Sequence, residues 1–256
     1  MLLGMCRVPA LALIALLATP TSAAIFGIDD RVTAPPLGQM AAIGVVTGGV
    51  GVLYGSGFLI DDCNVLTARH VVGDVEQAVG RRLTFRSGAA SSDGEVVAAG
   101  RYWRVHAIER PIGADWLLLR LDRCLGRQLG HLPLATIARV SIENPRIKIE
   151  AAGYPRDRVI ATGLTVDPDC AVIWNDGARI AHDCASLPGN SGGPLLIWDG
   201  ARWVAIGIVS AAADRAKAEP FQPAEVNLAV DMNSILAVVR SATTIRAKTS
   251  AVDGAQ

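Results

Sequence analysis

The amino-acid sequence predicts an all-β fold. From residue 40 onward, short runs of β-branched and other apolar residues are separated by Gly, Pro, Asn and Asp. This pattern is typical of strands joined by turns in a sandwich or barrel. No helical pattern of about ten or more residues alternates with these runs, which argues against an α/β fold.

The predicted strands are numerous enough for a pair of β-barrels. A division near residues 133–146 would place one barrel at about residues 40–132 and the other at about residues 146–230. The predicted strands cover residues 42–47, 52–53 with 57–60, 64–67, 82–86, 95–102, 116–121, 148–153, 159–166, 171–174, 195–198, 203–209 and 226–230.

The length and charge of the chain limit the functions that it can have. Its 256 residues, 51% of them hydrophobic, are enough for a large core in one all-β domain or two small ones. Lysine plus arginine and aspartate plus glutamate each number 24, so the formal net charge is zero. We expect no nucleic-acid partner, because the one local basic pair, Arg81 and Arg82, is typical of a solvated face.

The first 24 residues are typical of a secretory signal peptide. Arg7 supplies a positive charge, residues 8–18 form an apolar stretch, and residues 19–24 supply small residues for cleavage. The apolar stretch is about 11 residues long, whereas a membrane-spanning helix needs roughly 20, so a retained anchor is the less favoured alternative. We therefore expect an exported protein, periplasmic or extracellular, without a membrane anchor once the signal is removed.

Four cysteines remain after the signal segment. An even number in an oxidising compartment favours two disulfides, and three pairings are possible. We favour Cys170–Cys184, because these residues flank a predicted hairpin with residues 175–177 at its turn, which leaves Cys63–Cys124. The spacing lacks the C-x-x-C pairs that are typical of a zinc site.

A short helix is expected near the C-terminal end. Asp231 or Asn233 can cap its N-terminus, and an apolar stripe follows at Ile235, Leu236, Val238 and Val239. Residues 242–256, rich in Ala, Thr and Lys, are expected to form a disordered tail. By composition, residues 88–94 are expected to form a surface loop.

The stretch that carries the most chemical information is residues 187–194, LPGNSGGP, in which Ser191 lies among glycines. Glycines allow the backbone to bend sharply and to direct its N–H groups at one point. A serine hydroxyl becomes a nucleophile when a base removes its proton and donors stabilise the oxyanion that forms. A Gly-rich turn around a solvated serine is the alternative, so the prediction depends on a base elsewhere in the chain.

The order of the histidines excludes one class of serine hydrolase. All four histidines precede Ser191, at His70, His106, His131 and His182. The α/β-hydrolase fold, whose G-x-S-x-G motif residues 189–193 also satisfy, places its histidine after the serine. The subtilisin order places an acid before the histidine, but the α/β architecture of that class is missing here.

The order His, Asp, Ser remains, and its local contexts are specific. His70 ends the sequence T-A-R-H after an apolar run, and Asp115 begins D-W-L-L-L-R-L. The intervals between His70, Asp115 and Ser191 are 45 and 76 residues. With G-N-S-G-G-P, these segments resemble the chymotrypsin-like (trypsin-like) serine protease family over roughly residues 40–235. A resemblance to its exported bacterial glutamyl endopeptidase-like branch extends to residues 29–31, 152–155 and 187–194.

This resemblance implies two six-stranded antiparallel β-barrels within a protease domain at residues 25–241, and protein or peptide substrates. It implies that Ser191 attacks the scissile carbonyl, that His70 takes the serine proton and that Asp115 orients the His70 ring. The N–H groups of Gly189 and Ser191 would form the oxyanion hole. No metal or organic cofactor would be needed, and we expect a monomer.

Asn190 departs from the pattern of the digestive branch of this family. That branch has an aspartate before the nucleophile, which binds a new N-terminal ammonium after proenzyme cleavage. Asn190 carries no charge, so we expect neutral hydrogen bonds to hold this loop. We also expect removal of the signal alone to give the active protein.

The predicted substrate-binding residues also depart from the family pattern. Ala185, followed by Ser186, lies at the base of the primary pocket, where a trypsin would carry an aspartate. Val209, followed by Ser210, falls where glutamyl endopeptidases carry a histidine, and Ala212 replaces a wall glycine. These positions predict a pocket for small to medium uncharged side chains.

Two alternatives from other functional classes stay open. One is a protease-fold binding or scaffold protein with little turnover, and the other is a serine esterase, which the same three residues would permit. His182 lies nine residues before Ser191 and could shape the rim of the pocket, although a structural role is favoured.

Overall fold

The computed structural model of the protein describes residue 25 and residues 29–48, 54–73, 76–101, 112–141, 146–157, 163–212 and 226–253. The predicted signal peptide lies outside the described residues. Strands account for most of the regular structure, which confirms the predicted all-β class. None of the helices in these described ranges is long and apolar enough to cross a membrane.

The first described strand, β1 (Val32–Ala34), is followed by six strands that close into an antiparallel barrel. The strand order around this N-terminal barrel is β2-β3-β4-β7-β6-β5. The six strands are β2 (Ile43–Thr47), β3 (Tyr54–Leu59), β4 (Asn64–Thr67), β5 (Arg82–Ser87), β6 (Ala90–Ala99) and β7 (Leu117–Leu121).

Alternation of buried and exposed side chains explains why these segments form strands. In β5, Leu83 and Phe85 are buried inside the barrel, whereas Arg82 and Arg86 are exposed. Successive side chains of a strand point to opposite faces, so this period of two gives one apolar face and one polar face. Each fully buried leucine or phenylalanine stabilises the fold by about 1.5–3 kcal/mol.

Six further strands form the C-terminal barrel, after a short helix α1 (Gly126–Leu129) between the barrels. Strand β8 pairs with both β9 and β11, which closes the order β8-β9-β10-β13-β12-β11, and β1 adds to β9. The predicted pair of six-stranded antiparallel barrels is therefore confirmed. The strands are β8 (Ile147–Gly153), β9 (Leu164–Asn175), β10 (Arg179–His182), β11 (Pro194–Trp198), β12 (Trp203–Ala212) and β13 (Asn227–Asp231).

Two strand predictions differ from the structure. Strand β9 is continuous through residues 167–170, which separate the predicted runs 159–166 and 171–174. The exposed Pro168 and Asp169 lie at a bulge in the β8–β9 pairing, which breaks the apolar pattern without ending the strand. Residues 90–94 belong to β6, and only Gly88 and Ala89 form a turn. The polar residues of that segment pair with β5, as when the Thr84 hydroxyl donates to Asp93 at 2.6 Å.

The predicted C-terminal helix is present as α2 (Met232–Asp253), and it extends further than expected. Asp231 caps it, since its carboxylate accepts the N–H of Asn233 at 2.8 Å. The helix continues through residues 242–253, where we expected a disordered tail. Residues 232–253 contain neither Gly nor Pro, so nothing in this segment terminates the helix.

Both predicted cysteine pairs are at bonding distance. Cys63 and Cys124 tie the residue before β4 to the segment after β7, with Cα atoms 4.1 Å apart. Cys170 and Cys184 tie β9 to the residues after β10, with Cα atoms 4.8 Å apart. The second pair spans the hairpin from which it was predicted.

The two disulfides should differ in their resistance to reduction of the folded protein. Cys124 is exposed, whereas Cys170 and Cys184 are 5% and 0% exposed, and exchange requires a thiolate to reach a sulfur atom. Mild reduction followed by alkylation and mass spectrometry should therefore modify Cys63 and Cys124 first. Labelling of Cys170 and Cys184 at an equal rate would contradict this prediction, and labelling in denaturant gives the reference for full access.

Candidate active site

The three residues predicted for catalysis lie on loops at the junction of the barrels. His70 lies in a 3₁₀ turn that follows β4, and Asp115 follows a second 3₁₀ turn just before β7. Ser191 lies in the turn that precedes β11 of the other barrel. The nucleophile candidate and the candidate base therefore come from different barrels.

Asp115 is completely buried and accepts three hydrogen bonds. Its Oδ1 accepts the backbone N–H of His70 at 2.9 Å, and its Oδ2 lies 2.7 Å from Nδ1 of His70. The hydroxyl of Ser210 donates to the same Oδ2 at 2.5 Å. Burial raises the pKa of Asp115, but the interactions with His70 and Ser210 outweigh it and hold that pKa at about 2.

The ionised carboxylate defines the tautomer of His70. An ionised carboxylate can only accept hydrogen bonds, so Nδ1 of His70 must carry the proton at their contact. Nε2 of the neutral ring is then an acceptor. A histidine arranged in this way can take a proton from a neighbouring hydroxyl through Nε2.

Ser210 connects Ser191 to the Asp115–His70 pair. The hydroxyl of Ser191 lies 3.5 Å from the carbonyl oxygen of Ser210, and the described part of the chain contains no hydrogen bond between Ser191 and His70. Catalytic hydrogen bonds are often long or poorly aligned without substrate. The substrate contact predicted for Ser210 stays a prediction, and the contact of its hydroxyl with Asp115 is a role that the sequence motif did not indicate.

Hydrogen bonds to their carbonyl groups orient two peptide groups of the Ser191 loop, the one before Gly189 and the one after Asn190. The Pro188 carbonyl accepts the N–H of Arg156 at 2.7 Å, and the Asn190 carbonyl accepts the N–H of Gly193 at 2.8 Å. A trans peptide is planar, so the N–H of Gly189 and that of Ser191 point away from those carbonyl contacts. Neither N–H has an acceptor within the described residues, so both are available to a ligand.

Glycine is required at two positions around Ser191. Gly189 has φ of +107°, and a Cβ there would lie 2.5 Å from the Tyr154 carbonyl oxygen. Gly192 has φ of +88°, and a Cβ there would collide with the Ser56 carbonyl and the Thr67 hydroxyl. Both the left-handed backbone and the lack of space exclude other residues.

Asn190 is 2% exposed, and its Oδ1 has no hydrogen-bond partner in the described part of the chain. The hydrogen bonds to the main chain of this loop come from backbone groups and from the Ser56 hydroxyl. A charged contact nevertheless adjoins, in sequence, a residue that contacts the loop: the buried Arg31 pairs with the exposed carboxylates of Asp157 at 2.9 Å and Asp29 at 2.7 Å. Asp157 follows Arg156, whose N–H orients the peptide before Gly189.

The predicted pocket residues are largely buried. Ala185 and Ser186 follow β10, and Val209 packs into the interior cluster of the C-terminal barrel. The N–H of Ala185 donates to the buried carboxylate of Asp167 at 2.6 Å, a contact that sequence reasoning missed. Burial raises the pKa of Asp167. The side chain of Ala212 lies outside the described residues.

His182 lies on β10, where it faces Val172 and Asn227 across the neighbouring strands. It is completely buried, and neither ring nitrogen has a partner among the described residues. Burial lowers the pKa of His182 to about 3, so its ring is neutral at neutral pH. The described chain shows no group of three or more His, Cys, Asp or Glu that could hold a metal ion.

Stability should fall in mild acid because of His182. Its folded pKa of about 3 is below the usual value of 6.5. As the pH falls below 6.5, the unfolded chain therefore binds a proton that the folded protein excludes, which costs up to about 1.4 kcal/mol per pH unit. Urea unfolding should show that the unfolding free energy falls less between pH 7 and pH 5 for His182→Leu than for wild type.

The matched control is His131→Leu, at an exposed histidine in the segment between the barrels. If His182→Leu retains the same pH dependence of the unfolding free energy as wild type and this control, the prediction is wrong.

A family model described as a trypsin-like peptidase domain matches residues 55–208. The chain therefore belongs to the trypsin-like peptidase family, which is the chymotrypsin-like family that its motifs resemble. This membership supports a serine-type protease. Comparison with curated proteins gives no significant match.

Two solved structures share the fold. A Glu endopeptidase in complex with MPD is 17% identical, with a TM-score of 0.60, and the match covers 81% of this chain and 93% of that chain. The active form of the Rv3671c protease from M. tuberculosis is 19% identical, with a TM-score of 0.51 and coverage of 77% and 78%. At these identities the similarity supports the two-barrel fold.

Proposed function

We propose that the protein is an exported serine endopeptidase that hydrolyses peptide bonds through Ser191, His70 and Asp115. The observation that carries this proposal is the buried Asp115 carboxylate, 2.7 Å from Nδ1 of His70, beside the Ser191 loop. The available N–H groups of Gly189 and Ser191 add donors for a developing oxyanion.

The proposed reaction uses these groups in turn. Rotation about the Ser191 side-chain bond moves its hydroxyl from the Ser210 carbonyl toward Nε2 of His70, which takes the proton as the oxygen attacks the scissile carbonyl. Asp115 stabilises the imidazolium, and the N–H groups of Gly189 and Ser191 stabilise the tetrahedral oxyanion. The leaving amine takes the proton from His70, and water then releases the acyl group from Ser191 by the same sequence.

Asp115→Asn separates the proposed enzyme from a scaffold protein. Asparagine can donate a hydrogen bond to Nδ1 and so favours the wrong tautomer of His70. We expect kcat to fall by about 10⁴-fold, as it does for the corresponding substitution in a serine protease. Residues 25–256, expressed without further processing, should react with a fluorophosphonate and cleave a peptide library. Asp115→Asn should do so far more slowly, and Ser191→Ala should not label.

The matched control is Asp169→Asn, which removes an exposed carboxylate that pairs with Lys148 at the surface. It should retain wild-type rates. Wild-type protein that neither labels nor cleaves would favour the scaffold alternative, whereas labelling with rapid ester hydrolysis and no peptide cleavage would favour an esterase. Activity that appears only after a further internal cut would contradict the proposal that signal removal suffices.

The proposed primary pocket favours small to medium uncharged side chains before the scissile bond. Ala185, Ser186 and Val209 are buried and carry no charge. A lysine, arginine or glutamate side chain that reached them would lose its hydration, and none of these three residues supplies a charge to pair with it. A cleavage profile from a peptide library should be dominated by residues such as Ala, Val or Thr, and a profile dominated by Glu, Lys or Arg would overturn this prediction.

A further inference from the structure

Ser56 lies in β3, at the contact between the N-terminal barrel and the Ser191 loop, and it is fully buried. Its hydroxyl donates to the Gly189 carbonyl at 2.7 Å and accepts the N–H of Tyr154 at 2.8 Å. Its own N–H donates to the Ser191 carbonyl at 2.7 Å. Two of the contacts of this one residue therefore go to the loop that holds the nucleophile candidate.

The contact with the Gly189 carbonyl matters because glycine resists rotation less than any other residue. The peptide before Gly189 is oriented by Arg156, as described above. The peptide after Gly189 is held at its carbonyl by Ser56 and at its N–H by the Leu187 carbonyl, at 2.9 Å. Together these contacts set both backbone torsions of Gly189, and with them the direction of its N–H.

The space around Ser56 supports a built contact. A Cβ at Gly153 would lie 2.9 Å from the Ser56 hydroxyl, and a Cβ at Gly55 would lie 2.8 Å from the Ser191 carbonyl oxygen. Real Cβ atoms do not approach other atoms so closely. The approach of β3 to the Ser191 loop therefore depends on a glycine in β3 and on a second glycine in the neighbouring β8.

We propose that Ser56 is a positioning residue for the oxyanion hole. Its hydroxyl fixes the carbonyl of Gly189, and through it the direction of the Gly189 N–H toward the oxyanion. The proposed role of Ser56 is exerted through Gly189 and involves no contact of its own with the substrate. The inference rests on the proposed function, because an oxyanion hole has a role only if Ser191 attacks a carbonyl.

Ser56→Ala tests this inference, with Ser92→Ala as the matched control. Ser92 is also a buried serine whose hydroxyl donates to a backbone carbonyl, at 2.9 Å, and accepts a backbone N–H, at 3.0 Å, but it lies in β6. Both variants should lower Tm to a similar extent. Only Ser56→Ala should lower kcat, by about 10- to 100-fold, with KM changed by less than about threefold, since a displaced donor weakens transition-state stabilisation rather than substrate binding.

A pair of inhibitors gives a readout that loss of stability would not move. The Ser191 oxygen adds to the carbonyl carbon of a peptidyl aldehyde, and the carbonyl oxygen becomes an oxyanion. The corresponding peptidyl alcohol forms no such adduct. In Ser56→Ala, the inhibition constant of the aldehyde should rise by about 10- to 100-fold while that of the alcohol is unchanged. Ser92→Ala should leave both constants unchanged.

The outcomes separate this inference from the proposed function. Active wild-type protein with equal kcat in Ser56→Ala and Ser92→Ala would overturn the role of Ser56 alone. Wild-type protein without hydrolysis or labelling would overturn the proposed function and this inference with it. If Ser56→Ala does not fold, Ser56→Cys carries the test: its thiol is a weak donor, so a smaller fall in kcat supports the role and wild-type kcat contradicts it.

Discussion

The hydrogen bonds to the Asp115 carboxylate are the interaction on which the rest of the site depends. A fully buried carboxylate is costly unless donors replace its hydration. His70 supplies two donors from the N-terminal barrel and Ser210 supplies a third from the C-terminal barrel. The same contacts therefore satisfy a buried charge, fix the imidazole ring and join the two barrels at the candidate catalytic centre.

The Ser191 loop is organised by a different physical principle. Its sequence is rich in glycine, which permits the left-handed backbone and the close approach of neighbouring strands but offers little resistance to rotation. Rigidity comes from carbonyl groups that are held from outside the loop, by Arg156 and by Ser56. Flexible residues thus acquire a defined geometry from the better-ordered elements that surround them.

The sequence predicted the features that local chemistry determines. The strand periodicity indicated both barrels, and the context of His70 and Asp115 indicated the pair that the structure brings together. Contacts between distant segments were not visible. The sequence around Ser210 is compatible with a hydroxyl that faces either the substrate or Asp115. Ser56 contacts Gly189, which lies 133 positions away in the chain. Strand β1 was missed because it is three residues long and is formed by pairing with the distant β9, whereas β10 was anticipated only as the second arm of the predicted hairpin, without bounds.

Some boundaries were also set by tertiary contacts rather than by composition. Residues 90–94 contain Ser, Asp and Gly, which are typical of loops, yet pairing with β5 makes them a strand. The end of helix α2 differs from this. Its last turns continue past the apolar stripe, because the segment contains no Gly or Pro that would end the helix.

The two ends of the described chain cross between the barrels. Strand β1 precedes the N-terminal barrel in sequence but pairs with β9 of the C-terminal barrel. Helix α2 follows the C-terminal barrel, yet its Ile235 and Val239 share a buried cluster with Val96 and Leu118 of the N-terminal barrel. Each end of the described chain therefore ties one barrel to the other, and we expect the two barrels to unfold as one cooperative unit.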